Sequence, residues 1–217
     1  MDKKTIKIPY LKNDQIEKKS IDLLVNYYNN NKGSIKTPIP VFEIVEYLDY
    51  HLDFNGEGIF KDDNVLGATY SNDKKIEINE KISKQEGRMN FTIAHEIGHI
   101  LLHGSLKEHV LCRKDEGIYG DKKETIEVQA DKFAAYLIMP TKLVKKAFHI
   151  FYEKPVNVAK RKFIEIFFPK SKRYKAMRVA SKILEIGNFN NVSKLAMVNR
   201  LIGIGLIKGL SFQKNKQ

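Results

Sequence analysis

The stretch NFTIAHEIGHILLHG, residues 90–104, sets His95, His99 and His103 four apart in an apolar run, with Glu96 beside the first. On an α-helix, residues four apart share a face. Two imidazoles placed in this way can point at one ion, with nitrogen–zinc distances of about 2.0–2.1 Å. Glu96 is offset by one residue from that face. It is placed to reach a water made acidic by the ion and to act as its general base. This is the logic of H-E-x-x-H on a helix. Burying two imidazoles and a carboxyl among isoleucines and leucines is costly without partners, and a metal supplies one.

Two histidines and a water leave one ligand to find. A second helical stretch, KETIEVQADKFAAYLIM at 123–139, offers Glu124, Glu127 and Asp131. Ala130, Phe133 and Ala134 follow Glu127 at helical spacing, which puts Glu127 on the buried side as the expected third ligand of a single zinc ion. Asp131, one turn later, is placed to accept the other N–H of a ligating histidine. His103 lies eight residues from His95, about 12 Å along the helix axis. It is therefore read as a histidine outside the coordination sphere, supporting a ligand or packing in the core.

The following loop carries His109 and Cys112, either of which can approach a metal. Hydrolysis of an amide also requires a donor for the oxyanion. Tyr70, Arg88, His109 and Tyr119 are candidates that the sequence does not separate. Gly98 implies close approach of another element behind the helix, with a strand edge that would hold a peptide as one possibility.

Outward from this centre, residues 16–30 show helical spacing at Ile21, Leu24, Val25 and Tyr28. TPIPVFEIVEYLDY, from residue 37, reads as a second helix started by Pro40. YHLDFNG, NVLGATYSN and KKIEINE read as about three short strands of a small antiparallel sheet. The spacing predicts a helix from Glu86 to Leu102 and another from Lys123 to Met139. A further helix, TKLVKKAFHIFYE, has Thr141 as its expected N-cap. After Pro155, three more stretches read as helices with basic polar faces: VNVAKRKFIEIFFP, KRYKAMRVASKILEIGN and NVSKLAMVNRLIGIGLI. The expectation is an α+β fold, residues 1–152, followed by a mainly helical, basic C-terminal region, residues 153–217.

The chain has 217 residues, a net charge of +12 and one cysteine. Its length supports one or two domains with real cores. A single cysteine excludes a disulfide framework within the chain, and a cytoplasmic location is expected. The opening residues contain no apolar h-region, so no secretory signal is expected, and no segment has the length and apolarity of a membrane span. Residues 153–217 hold 15 Lys and Arg against 3 Asp and Glu, while the first 152 residues hold 23 of each. The whole excess charge therefore lies in the C-terminal region, where it can attract nucleic acid weakly or an acidic protein.

RMNFTIAHEIGHILLHG followed by EVQADKFAAYLIMP resembles the ImmA/IrrE family of zinc metallopeptidases. The usual family pattern is R-x-x-F-T-x-A-H-E-x-G-H-x-x-x-H, then E-x-x-A-N-x-F-A-x-x-L-L-M-P. Arg88, Phe91, Thr92, Ala94, His95, Glu96, Gly98, His99 and His103 meet the first part. Glu127, Ala130, Phe133, Ala134, Leu137, Met139 and Pro140 meet the second. Asp131 stands where Asn is frequent, as in the Glu-x-x-x-Asp arrangement of gluzincins, and Ile138 replaces a common Leu. A weaker likeness runs through Val192, Ser193, Ala196, Arg200, Leu201, Gly205, Leu206 and Ile207.

The resemblance implies a zincin-like core, zinc held by His95, His99 and Glu127, and Glu96 as the base. It further implies an endopeptidase that cleaves a helix-turn-helix transcriptional repressor, in mobile-element or stress regulation. No repressor-like domain precedes the motif, so the expected substrate is a repressor on a separate chain. Two other readings use the same residues. One is a DNA-binding or sensing regulator with a structural or inactive metal site, suggested by SKLAMVNRLIGIG. The other is a non-peptidase zinc hydrolase, since the same water chemistry serves other amides.

Overall fold

A computed structural model of the chain describes residues 10–104, 110–113, 121–159 and 171–213, with side chains described except at 110–113 and 121–125. His109 and Tyr119 lie outside the described residues, as do the side chains of Cys112 and Glu124. The fold is mixed α and β, as expected. It divides into two compact units. The first contains the described residues up to Ile35 and then Pro40–Ile138; the second contains Lys36–Ile39 and the described residues from Met139 onward.

In the first unit, α1 (Asn13–Asn30) and α2 (Val41–Tyr47) precede β1 (His51–Asn55), β2 (Val65–Tyr70) and β3 (Lys75–Asn79). Next come α3 (Glu86–His103), β4 (Val110–Arg113) and α4 (Asp121–Ile138). Pro40 is the residue immediately before α2, so it starts that helix from the cap position. On α1 the buried face is Ile16, Ser20, Leu23, Leu24 and Tyr28. Val25, expected inside, is 39% exposed because the helix turns its Leu23 side inward instead.

The sheet corrects two expectations. It has four strands in the order β1-β3-β2-β4. The fourth, Val110–Arg113, lies in a stretch too short for periodicity to mark. The sheet is also mixed rather than antiparallel: β2 pairs antiparallel with β3 and β4, but β1 pairs parallel with β3. The β2–β3 hairpin places β3 in the centre, running in the same direction as β1. Register puts Gly67 opposite Ile78 and Thr69 opposite Ile76, so these four positions share one sheet face. Ala68 and Tyr70 leave by the other face and pack with Phe60 and Val65. Asn79 pins this side: its amide donates to the carbonyls of Phe60 and Val65, at 3.2 and 2.8 Å.

α3 is buried at almost every position from Thr92 to His99. It lies against the sheet on one side and α4 on the other, and α4 also packs on α1. Ile93, Ile97, Ala130, Phe133, Ala134 and Leu137 are fully buried. Burial of each large one contributes about 1.5–3 kcal/mol, which holds α3 and α4 in register.

The second unit contains α5 (Thr141–His149), α6 (Lys172–Ile186) and α7 (Lys194–Gly203). Two short parallel strands, β5 (Val156–Asn157) and β6 (Ile207–Lys208), accompany them. The expected helix from Val156 does not begin there, since residues 156 and 157 extend to pair with β6; residues 160–170 lie outside the described residues. Thr141 is not the cap of α5. Pro140 occupies that position, and the Thr141 hydroxyl accepts a hydrogen bond from Arg200 instead. Ser171 and Ser193 cap α6 and α7, each accepting from the backbone N–H three residues on at 3.1 Å. Residues 36–39 are held by the α6–α7 connection: Asn188 and Asn191 donate to the carbonyls of Thr37 and Ile39, both at 2.9 Å.

Candidate metal centre

α3 and α4 meet through a glycine. A Cβ on Gly98 would stand 3.2 Å from the Ala130 Cα and 3.3 Å from its carbonyl oxygen. The element that approaches behind Gly98 is thus α4, not a strand edge. This close approach brings Glu127 on α4 to the paired imidazoles on α3.

The ligand atoms of His95, His99 and Glu127 all lie within 4.8 Å of one another. The two Nε2 atoms are 2.8 Å apart. Glu127 Oε2 stands 3.2 Å from His95 Nε2, and Oε1 stands 3.8 Å from His99 Nε2. A tetrahedral ion with bonds of about 2.0–2.2 Å separates its ligand atoms by about 3.4 Å. The three observed distances bracket that value, so the donor set fits one zinc-sized ion. Two imidazoles and a carboxylate with room for a water are also the donors of a catalytic rather than a purely structural site.

The electrostatics favour ligand-ready forms. Burial drives the His99 imidazole down to about 4, so it is neutral near pH 7. Burial by itself would raise the Glu127 carboxyl, but the neighbouring His95 and His99 rings outweigh it and lower it to about 2. Metal binding requires this combination of neutral imidazole and ionised carboxylate.

The remaining expected residues take distinct places. Asp131 Oδ1 lies 2.8 Å from His95 Nδ1. The Nδ1–H donates to this carboxylate, which leaves Nε2 with its lone pair toward the cluster. His103 is buried and stands outside the three-ligand group, with Nδ1 3.2 Å from His99 Nδ1.

Glu96 is fully buried. Its Oε2 accepts from the Thr69 hydroxyl at 2.7 Å, and its Oε1 has no hydrogen-bond partner among the described residues. A buried carboxylate oxygen without a donor suits a water. Burial pushes this carboxyl up to about 7, against the opposing influence of His95 and Thr69. That is the range in which a general base works near neutral pH.

Thr69 and Gly67 were not foreseen as site residues. A Cβ on Gly67 would meet Glu96 Oε1 at 2.8 Å and Thr92 Cγ2 at 2.9 Å, so only glycine lets β2 approach the carboxylate this closely. An isolated glycine within the strand pattern VLGATY was the available signal. Of the oxyanion candidates with described side chains, Tyr70 is tied to Glu77. Its phenol is pushed up to about 12 by burial and then by that hydrogen bond, so it remains a protonated donor.

Residues 56–163 match the family model Peptidase_M78, the IrrE N-terminal-like domain. The chain belongs to the ImmA/IrrE family. The matched span contains α3 and α4 entire, and with them every residue of the cluster. Membership gives a metallopeptidase-like function in general terms, in a family that is zinc-dependent and acts on protein substrates. No curated protein matches the chain at a significant level. Among the described residues, no helix is long and apolar enough to cross a membrane.

Proposed function

We propose that this chain is a zinc-dependent endopeptidase that cleaves a helix-turn-helix transcriptional repressor and so relieves repression. The observation that carries the catalytic part is the buried Oε1 of Glu96, without a partner among the described residues, beside a His-His-Glu donor set. His95, His99 and Glu127 would hold one zinc ion, with Asp131 orienting His95. The ion would supply Lewis acidity to the scissile carbonyl and lower the pKa of a water. Glu96 would take the proton from the attacking water. It would then deliver that proton to the amine nitrogen as the C–N bond breaks. Thr69 would keep the carboxylate aimed by holding Oε2 and leaving Oε1 for the water.

The repressor assignment rests on the family resemblance and on a basic C-terminal region suited to an enzyme working near DNA-bound protein. Weak, salt-sensitive nucleic-acid contact through residues 153–217 fits the same setting. A recognition helix in α7 is disfavoured by its packing. Met197, Val198 and Leu201 are buried, Arg200 donates to the Met139 carbonyl at 3.0 Å, and the Asn199 amide is bonded to the Gln213 backbone.

The test is incubation of the zinc-loaded protein with purified helix-turn-helix repressors, starting with any encoded beside its gene. Cleavage at a defined bond by wild type, and none by Glu96→Gln at the same zinc content, is the expected outcome. Cleavage by Glu96→Gln at the wild-type rate would remove the mechanism.

A further inference from the structure

One buried chain of polar groups leads away from the donor set. His99 Nδ1 stands 3.2 Å from His103 Nδ1, and His103 Nε2 stands 3.2 Å from Gln129 Oε1. All three residues are at most 3% exposed, so no bulk water substitutes for any partner. A neutral imidazole carries one proton, on one of its two nitrogens. The two links therefore cannot be set independently.

If Gln129 presents its carbonyl oxygen, His103 must carry its proton on Nε2 to donate. Its Nδ1 is then an acceptor. His99 must in turn carry its proton on Nδ1, and its Nε2 keeps the lone pair facing His95 and Glu127. If Gln129 presented its NH2 group, every link would reverse. His103 would donate from Nδ1, and the proton of His99 would sit on Nε2, blocking the donor atom. We propose that Gln129, acting through His103, is a positioning residue that sets His99 in the tautomer able to bind metal through Nε2. It does for His99 what Asp131 does for His95, at one remove. α4 thus contributes one ligand, Glu127, the outer partner of His95 and, at one remove, that of His99.

The inference rests on the zinc reading above, and its test separates failure of one from failure of the other. Gln129→Leu keeps the approximate size and removes the acceptor. Gln129→Glu keeps the shape and accepts only, so it enforces the polarity assigned to Gln129. Two measurements suffice: zinc affinity by competition with a chromogenic chelator, and imidazole ¹⁵N chemical shifts of the zinc-bound proteins. Loss of an outer partner of a ligating histidine costs about 10–100-fold in metal affinity. Gln129→Leu is therefore expected to bind zinc at least about 10-fold more weakly. Gln129→Glu is expected to bind at least as tightly as wild type, which a merely space-filling role would not require.

Zinc-bound wild-type spectra are expected to show His99 protonated at Nδ1 and His103 at Nε2. Unchanged affinity in Gln129→Leu, or a zinc-bound wild-type His103 protonated at Nδ1, overturns the inference. If wild type fails to bind zinc, the zinc reading falls; if wild type binds zinc and Gln129→Leu binds it equally tightly, the inference alone falls.

Discussion

The two oxygens of Glu96 are treated differently by the protein. Oε2 takes a hydrogen bond from Thr69, while Oε1 takes none from the described residues. Full burial makes the ionised form costly, which raises the carboxyl from its ordinary 4.5 to about 7. An acid whose folded value is raised contributes stability that is complete below its unfolded value and is lost as pH rises through the folded one. Glu96→Gln removes that dependence. In zinc-free protein, the stability of the variant relative to wild type is expected to rise by on the order of 3 kcal/mol between pH 4.5 and pH 8. Parallel denaturant titrations at these two pH values check it. The buried amide adds a pH-independent offset, so the slope is what matters, and a flat difference would contradict the burial argument.

At the scale of elements, two glycines hold the centre together in different directions. Gly98 sets the α3–α4 distance, and Gly67 sets the β2–α3 distance at Glu96. Gly98→Ala meets backbone on α4, so the helices must part by a few tenths of an ångström. The expected result is about 1–3 kcal/mol of lost stability, with weakened zinc binding because Glu127 moves with α4. Gly67→Ala meets the Glu96 carboxylate instead. Zinc content is expected to persist while cleavage falls, since the ligands sit on the helices. Zinc analysis beside a cleavage assay distinguishes the two.

This contrast also marks what the sequence disclosed. The α3 and α4 patterns were readable because candidate ligands and core residues repeat at helical spacing over 18 residues each. Gly98 was readable as a close approach, but its partner was not, because α4 is distant in sequence. The parallel β1–β3 pairing was hidden for a related reason. Strand patterns state which face is buried and say nothing about which neighbour a strand chooses. Gln129 was passed over because its meaning depends on His103, a residue 26 positions away across a helix interface.

For the whole molecule, the two units separate the chemistry from the charge. All three residues of the donor set lie in the first unit, while residues 153–217 carry the basic excess. Zinc that binds the folded but not the unfolded chain stabilises it by about 4 kcal/mol when free zinc exceeds Kd a thousandfold. Chelation is therefore expected to lower the melting temperature of the first unit by about 10 °C, read by calorimetry. In the second unit, Arg200 is nearly buried and donates to Met139 and Thr141. Its place in the C-terminal motif thus has a structural cause. Arg200→Met strands buried acceptors and is expected to cost about 2 kcal/mol while leaving zinc content unchanged.

The central claim is that α3 and α4 jointly grip one divalent ion. Elemental analysis of purified wild type, Glu127→Ala and Glu96→Gln, each dialysed against the same low zinc concentration, tests it most directly. Wild type and Glu96→Gln should each retain one zinc per chain, and Glu127→Ala should retain almost none. A full equivalent of zinc in folded Glu127→Ala would contradict it.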